Sequence, residues 1–116
     1  MYNKWLGAIM KIEVWNIKKI TGYEPITTFY EDFSIADKFG AEAIKDTFNR
    51  AFKEWKHNYK YLTELVMALN WKCWRWNEEK NQAISKLYYT LFQKAYDYAM
   101  ENLKDEELTY FIRTTD

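Results

Sequence analysis

A chain of 116 residues, 48% hydrophobic and 20% aromatic, can close one core of ordinary size and is not composed like a disordered segment. Its 17 basic and 17 acidic residues cancel. This argues against binding DNA regardless of sequence, which draws on Lys and Arg excess and counterion release, and against an acidic mimic of nucleic acid. Cys73 is the only cysteine, so no intrachain disulfide forms and a reducing compartment fits. Six Trp, ten Tyr and seven Phe are more rings than so small a core needs, since each removes roughly 150–250 Å² from water. Some are expected near the surface.

The first apolar run, Trp5-Leu6-Gly7-Ala8-Ile9-Met10 between Lys4 and Lys11, is too short for a signal-peptide core or a membrane span, so a cytoplasmic setting without a membrane is expected. Residues 1–9 read as an extension. Residues 11–17 alternate, with Ile12 and Val14 on one side and Trp15 and Ile17 on the other, and residues 26–30 are β-branched and aromatic. With Thr21-Gly22 between the runs, a β-hairpin is predicted over 10–31, Pro25 placing its second strand at an edge. A helix over 5–20 is the rival, because Trp5, Ile9, Ile12 and Trp15 also fall at near-helical spacing.

Ser34-Ile-Ala-Asp37 reads as a helix start capped by Ser34, and Gly40 as its end or a turn. Beyond Gly40 the chain holds no glycine or proline, which predicts long helices. Over 41–56, Ile44, Phe48, Ala51, Phe52 and Trp55 make one stripe. Asn58 caps a second helix over 59–76, with Leu62, Leu65, Val66, Leu69, Cys73 and Trp76 on its stripe. The polar stretch Asn77–Asn81 starts a third over 79–103, with Glu78 and Glu79 near its N-terminus, although 59–103 could also run unbroken. Its stripe is Ile84, Leu87, Tyr88, Leu91, Ala95, Tyr98 and Ala99. Asp105-Glu106-Glu107 opens a short last helix carrying Leu108, Phe111 and Ile112. The fold class is mainly α: a single domain whose residues 34–113 form a three-helix antiparallel bundle with short flanking helices and an N-terminal hairpin.

Two helices carry more apolar surface than one core-facing stripe requires. At about 100° per residue, Met67, Trp71 and Trp74 lie roughly 150° from the Leu62/Leu65/Leu69/Cys73 stripe. Tyr89, Phe92, Tyr96, Met100 and Leu103 widen the apolar arc of the next helix. Either both sides of the middle helix pack inside the chain, or Met67, Trp71, Trp74, Tyr89, Tyr96 and Met100 dock a protein partner, of which a homodimer is the simplest.

Reactive side chains do not gather in the sequence. His57 is the only histidine and reads as a helix-boundary residue, and Cys73 as a small core residue rather than a nucleophile. Together they supply too few ligands for zinc, and Glu54-Trp-Lys-His57 is a single Glu-x-x-His run where bundle metal sites draw on two. Glu31-Asp32, Glu78-Glu79 and Asp105–Glu107 read as solvated residues at helix ends. No phosphate loop, nucleophile elbow or kinase signature occurs. No enzyme activity, metal or cofactor is therefore expected. The run from Asn70 to Asn77 interleaves Trp71, Trp74 and Trp76 with Lys72 and Arg75, as single-strand binders do. On a helix, however, Trp76 points to the core, Trp71 and Trp74 the opposite way, and Lys72 and Arg75 to one flank. A nucleic-acid-binding regulator is thus only the alternative.

The stretch Gly22–Gly40, the run Asn58–Met67 and the ending Tyr110–Asp116 resemble a family of small proteins carried by conjugative transposons and prophages of Firmicutes. The resemblance spans about residues 10–116. It implies a bacterial mobile-element origin and a cytoplasmic setting, and brings no catalytic residue to carry over. The combined expectation is a non-enzymatic accessory or regulatory protein of such an element, acting through protein contacts.

Overall fold

A computed structural model describes residues 25–115. These form five helices, α1 (Pro25–Asp37), α2 (Ala41–Trp55), α3 (Tyr59–Glu78), α4 (Gln82–Asn102) and α5 (Asp105–Thr115), with no strand among the described residues. The protein is mainly α, as the sequence predicts.

The largest departure is α1. Residues 26–30, predicted as the second strand of the hairpin, are helical. Pro25 takes the first helical position, where its missing N–H costs nothing and its fixed φ suits the helix. Phe29, Phe33 and Ala36 then recur at helical spacing and are buried together, so core packing overrides the local β preference of Ile26, Thr27 and Thr28. The first predicted strand and its rival, the helix over 5–20, lie outside the described residues. Ser34 is not a cap either. It sits inside α1, where its hydroxyl donates to the Tyr30 carbonyl at 2.9 Å. Glu31 and Asp32, expected in solvent at a helix end, are mid-helix and buried.

The chain then turns at Gly40, whose amide donates to the Ala36 carbonyl at 3.1 Å. Its φ of +103° belongs to a region that side-chain-bearing residues avoid. In α2, Ile44, Phe48, Ala51 and Trp55 are buried at the predicted spacing, and Phe52 meets Tyr98 of α4 edge-on at 5.3 Å. The Asn58 side chain caps α3 as predicted, accepting from the amides of Lys60 and Tyr61.

The stretch 59–103 resolves into two helices. Helix α3 continues to Glu78, so Glu78 and Glu79 close it rather than opening α4. Lys80 adopts φ +63° and the Asn81 amide donates back to the Trp76 carbonyl at 3.1 Å, a hydrogen bond that ends a helix at a left-handed residue. Asn81 then caps α4 through the Ile84 amide at 3.2 Å. The two helices run in opposite directions, the Ser85 hydroxyl donating to the Cys73 carbonyl at 2.9 Å across their interface. Helix α4 buries Tyr88, Leu91, Ala95 and Ala99, while Leu103, its cap, also belongs to the core. Helix α5 buries Phe111 and leaves Ile112 exposed. Each of the other four helices packs against α3. None among the described residues is long and apolar enough to cross a membrane.

A Cβ built on Gly40 would meet nothing within 4 Å, so the cost of replacing it is conformational alone. Gly40→Ala is expected to lower the unfolding free energy by about 1–3 kcal/mol, measured by denaturant titration, without altering the helical circular-dichroism signal.

Candidate functional site

Central position makes the sides of α3 unequal. In its first two turns Leu62, Thr63, Glu64, Leu65 and Val66 are all buried, an arc closed by neighbours on every side. Further along, Ala68, Leu69 and Lys72 remain buried while Asn70, Trp71 and Trp74 face outward. Trp71 and Trp74 are each 57% exposed. Met67, half-buried, and Trp71 line a cavity of about 180 Å³ with Phe92 and Tyr96 of α4 and Thr114 and Thr115 at the end of α5. Along α4 the rings stack in sequence: Tyr89 on Phe92 at 6.1 Å between centroids, and Phe92 on Tyr96 at 5.6 Å. Tyr96 in turn leans on the buried Phe111 of α5 at 5.4 Å.

Of the six residues singled out in the sequence, Met67, Trp71 and Tyr96 share this cavity. Trp74 adjoins Trp71 in a second hollow beside Asn70, and Tyr89, 53% exposed, joins through Phe92. Met100 continues the α4 stripe one turn past Tyr96 and is exposed, without lining the cavity among the described residues. The result is an apolar, ring-lined face built by two helices. Its rings and thioether are joined at the cavity by the polar side chains of Asn70, Thr114 and Thr115.

The opposite flank of α3 holds a cluster missed in the sequence reading. Lys72, expected on one flank of the helix with Arg75, is buried, its ammonium 2.6 Å from Asp37 Oδ2 and 3.1 Å from Ser34 Oγ. The same carboxylate accepts from Trp76 Nε1 at 3.1 Å and from the Tyr88 hydroxyl at 2.5 Å. The Tyr30 ring lies 4.7 Å from the ammonium. Desolvation by burial pushes Lys72 below its ordinary 10.5, against the pull of Asp37. Burial first, and then the neighbouring Asp37 carboxylate, push the Tyr88 hydroxyl above its ordinary 10.0. The signal that could have revealed Lys72 is its position, four residues after Ala68 and seven after Leu65 on the buried side.

This cluster floors an open hollow of about 380 Å³ rimmed by Arg75 and Glu79, which pair at 3.6 Å. Each charge on the floor and rim faces an opposite one, and the donors of Lys72, Trp76 and Tyr88 are engaged within the protein. The arrangement holds α1, α3 and α4 together and offers a ligand no unbalanced charge. Elsewhere, His57 is exposed between α2 and α3, and Cys73 is half-buried facing α4, its Sγ 3.6 Å from Ser85 Oγ. Among the described residues no three His, Cys, Asp or Glu side chains gather as a metal would require.

Comparison of the chain with protein-family models, curated proteins and solved structures finds no match. The functional reading therefore rests on the residues themselves.

Tyr88 gives the cluster a signature in alkali. In the folded chain its hydroxyl keeps its proton above 10.0, where the unfolded chain releases it. Its contribution is thus intact below pH 10 and shrinks as pH rises beyond it, by about 1.4 kcal/mol per pH unit. Tyr88→Phe is expected to flatten this alkaline decline relative to the unaltered protein, measured by urea unfolding at stepped pH. Equal slopes in the two proteins would contradict the assignment.

Proposed function

We propose that the chain is a non-enzymatic accessory protein of a bacterial mobile element, working in the cytoplasm through protein contacts made by the ring-lined face of α3 and α4. The observation that carries the contact reading is the pair Trp71 and Trp74, adjacent and each more than half exposed on the helix against which all the others pack. Aromatic residues and Met are enriched in protein interfaces, and tryptophan above all where binding energy concentrates. We take α2, α3 and α4 as an antiparallel three-helix bundle flanked by α1 and α5, a rigid frame for that face. The mobile-element origin and the cytoplasmic setting draw on the resemblance carried by Gly22–Gly40, Asn58–Met67 and Tyr110–Asp116. The nucleic-acid alternative draws little support from the two cations that suggested it, because Lys72 is turned inward onto Asp37 and Arg75 is paired with Glu79.

A contact face and a core face respond differently to truncation. Trp71→Ala and Trp74→Ala are each expected to change the unfolding free energy by about 1 kcal/mol or less, against about 2–5 kcal/mol for the buried Leu65→Ala. The double tryptophan variant should also lose a protein that the unaltered chain captures from its host. Tryptophan variants as unstable as Leu65→Ala would return these rings to the core and end the proposal.

A further inference from the structure

We infer that the ring-lined face is covered by a second copy of this chain, the two α4 helices lying antiparallel across a two-fold axis near Phe92. The inference rests on the reading of that face as a protein-contact surface and names its partner.

Area is the first argument. The exposed parts of Trp71, Trp74 and Tyr89 amount to about 400 Å² of ring surface, on the usual area of such side chains. A standard interface takes about 800 Å² from each partner, of which about 65% is apolar in homodimers. Three rings thus supply most of the apolar share for one copy, and the half-buried Met67, Phe92 and Tyr96 extend it. Spacing is the second. Tyr89, Phe92, Tyr96 and Met100 recur at intervals of three, four and four, the alternation with which one helix lays a seam along another at a shallow angle.

Charge selects the occupant. Lys86 and Asp97 are both exposed and stand on the same edge of the seam, about 16 Å apart along the helix axis, one on each side of Phe92. Neither forms an ion pair among the described residues. A two-fold axis near Phe92 reverses the second helix, bringing Lys86 of one copy towards Asp97 of the other and repeating the pair at the far end. A single helix that carries opposite charges at the two ends of its apolar seam is complementary to itself reversed, which is what an isologous contact requires.

Sedimentation velocity of the full chain over a dilution series tests this directly. The unaltered protein is expected to dimerise, Lys86→Glu and Asp97→Lys each to weaken the dimer by about tenfold through like-charge contacts, and the double variant Lys86→Glu/Asp97→Lys to recover to near the starting affinity. A chain that stays monomeric at every concentration, or a double variant that fails to recover, overturns the inference. Should a monomer also shield Trp71 and Trp74 from chemical modification, the inference falls in favour of residues 1–24 of the same chain as the occupant. Failure of the contact reading is seen separately: it fails if the single tryptophan variants lose as much stability as a core truncation, whatever the oligomeric state.

Discussion

The carboxylate of Asp37 at the end of α1 is the tie on which the arrangement depends. It receives Lys72 and Trp76 from α3 and Tyr88 from α4, so one side chain fixes three helices in mutual register. A buried ion pair of this kind adds little net stability, because desolvation offsets most of the attraction, but losing one partner leaves the other charge stranded in the core. Its contribution is to specify orientation: α3 cannot rotate without pulling Lys72 off Asp37. With that flank committed to α1 and the adjacent side locked to α4 through Ser85 and Cys73, the rotation of α3 is set. Trp71 and Trp74 then have only one direction left, which is outward.

That constraint explains why the polar cluster and the aromatic face belong together although they lie on different sides of α3. The cluster pairs its own charges and donors within the protein and fastens three helices. The face carries no charge of its own and is edged by exposed residues of both signs, Lys86 and Asp97 among them. Such a surface gains free energy by leaving water, at roughly 25 cal/mol per Å² of apolar area. The chain separates stability on one side of α3 from proposed recognition on the other.

Helices α2 to α5 were legible because their apolar residues repeat at helical spacing, with Asn58 as a cap and Gly40 as a turn. Helix α1 was not, since Ile26, Thr27 and Thr28 prefer strands locally and only the long-range burial of Phe29 and Phe33 reverses that preference. The break between α3 and α4 was marked by the polar stretch Asn77–Asn81, but its position at Lys80 was not, since a lysine in the left-handed region is held there by the surrounding chain. Rotation about α3 correctly set Met67, Trp71 and Trp74 apart from the Leu stripe. It also places Lys72 on the buried side with Leu65 and Ala68, but a lysine amid apolar residues ordinarily reaches solvent and its partner Asp37 is remote in sequence, so its burial was not read. Nor could rotation alone show that α5 ends beside Trp71 and closes one wall of the cavity, while Trp74 stays open. Those facts come from tertiary placement.

Hydroxyl-radical footprinting of the indole rings across a dilution series addresses the central claim most directly. The account requires Trp71 and Trp74 to be readily oxidised in dilute protein and progressively shielded as concentration rises, with the buried Trp55 unreactive throughout. Indoles at positions 71 and 74 as inert as that at 55 at every dilution would mean that the face is sealed inside one chain, and would contradict the account.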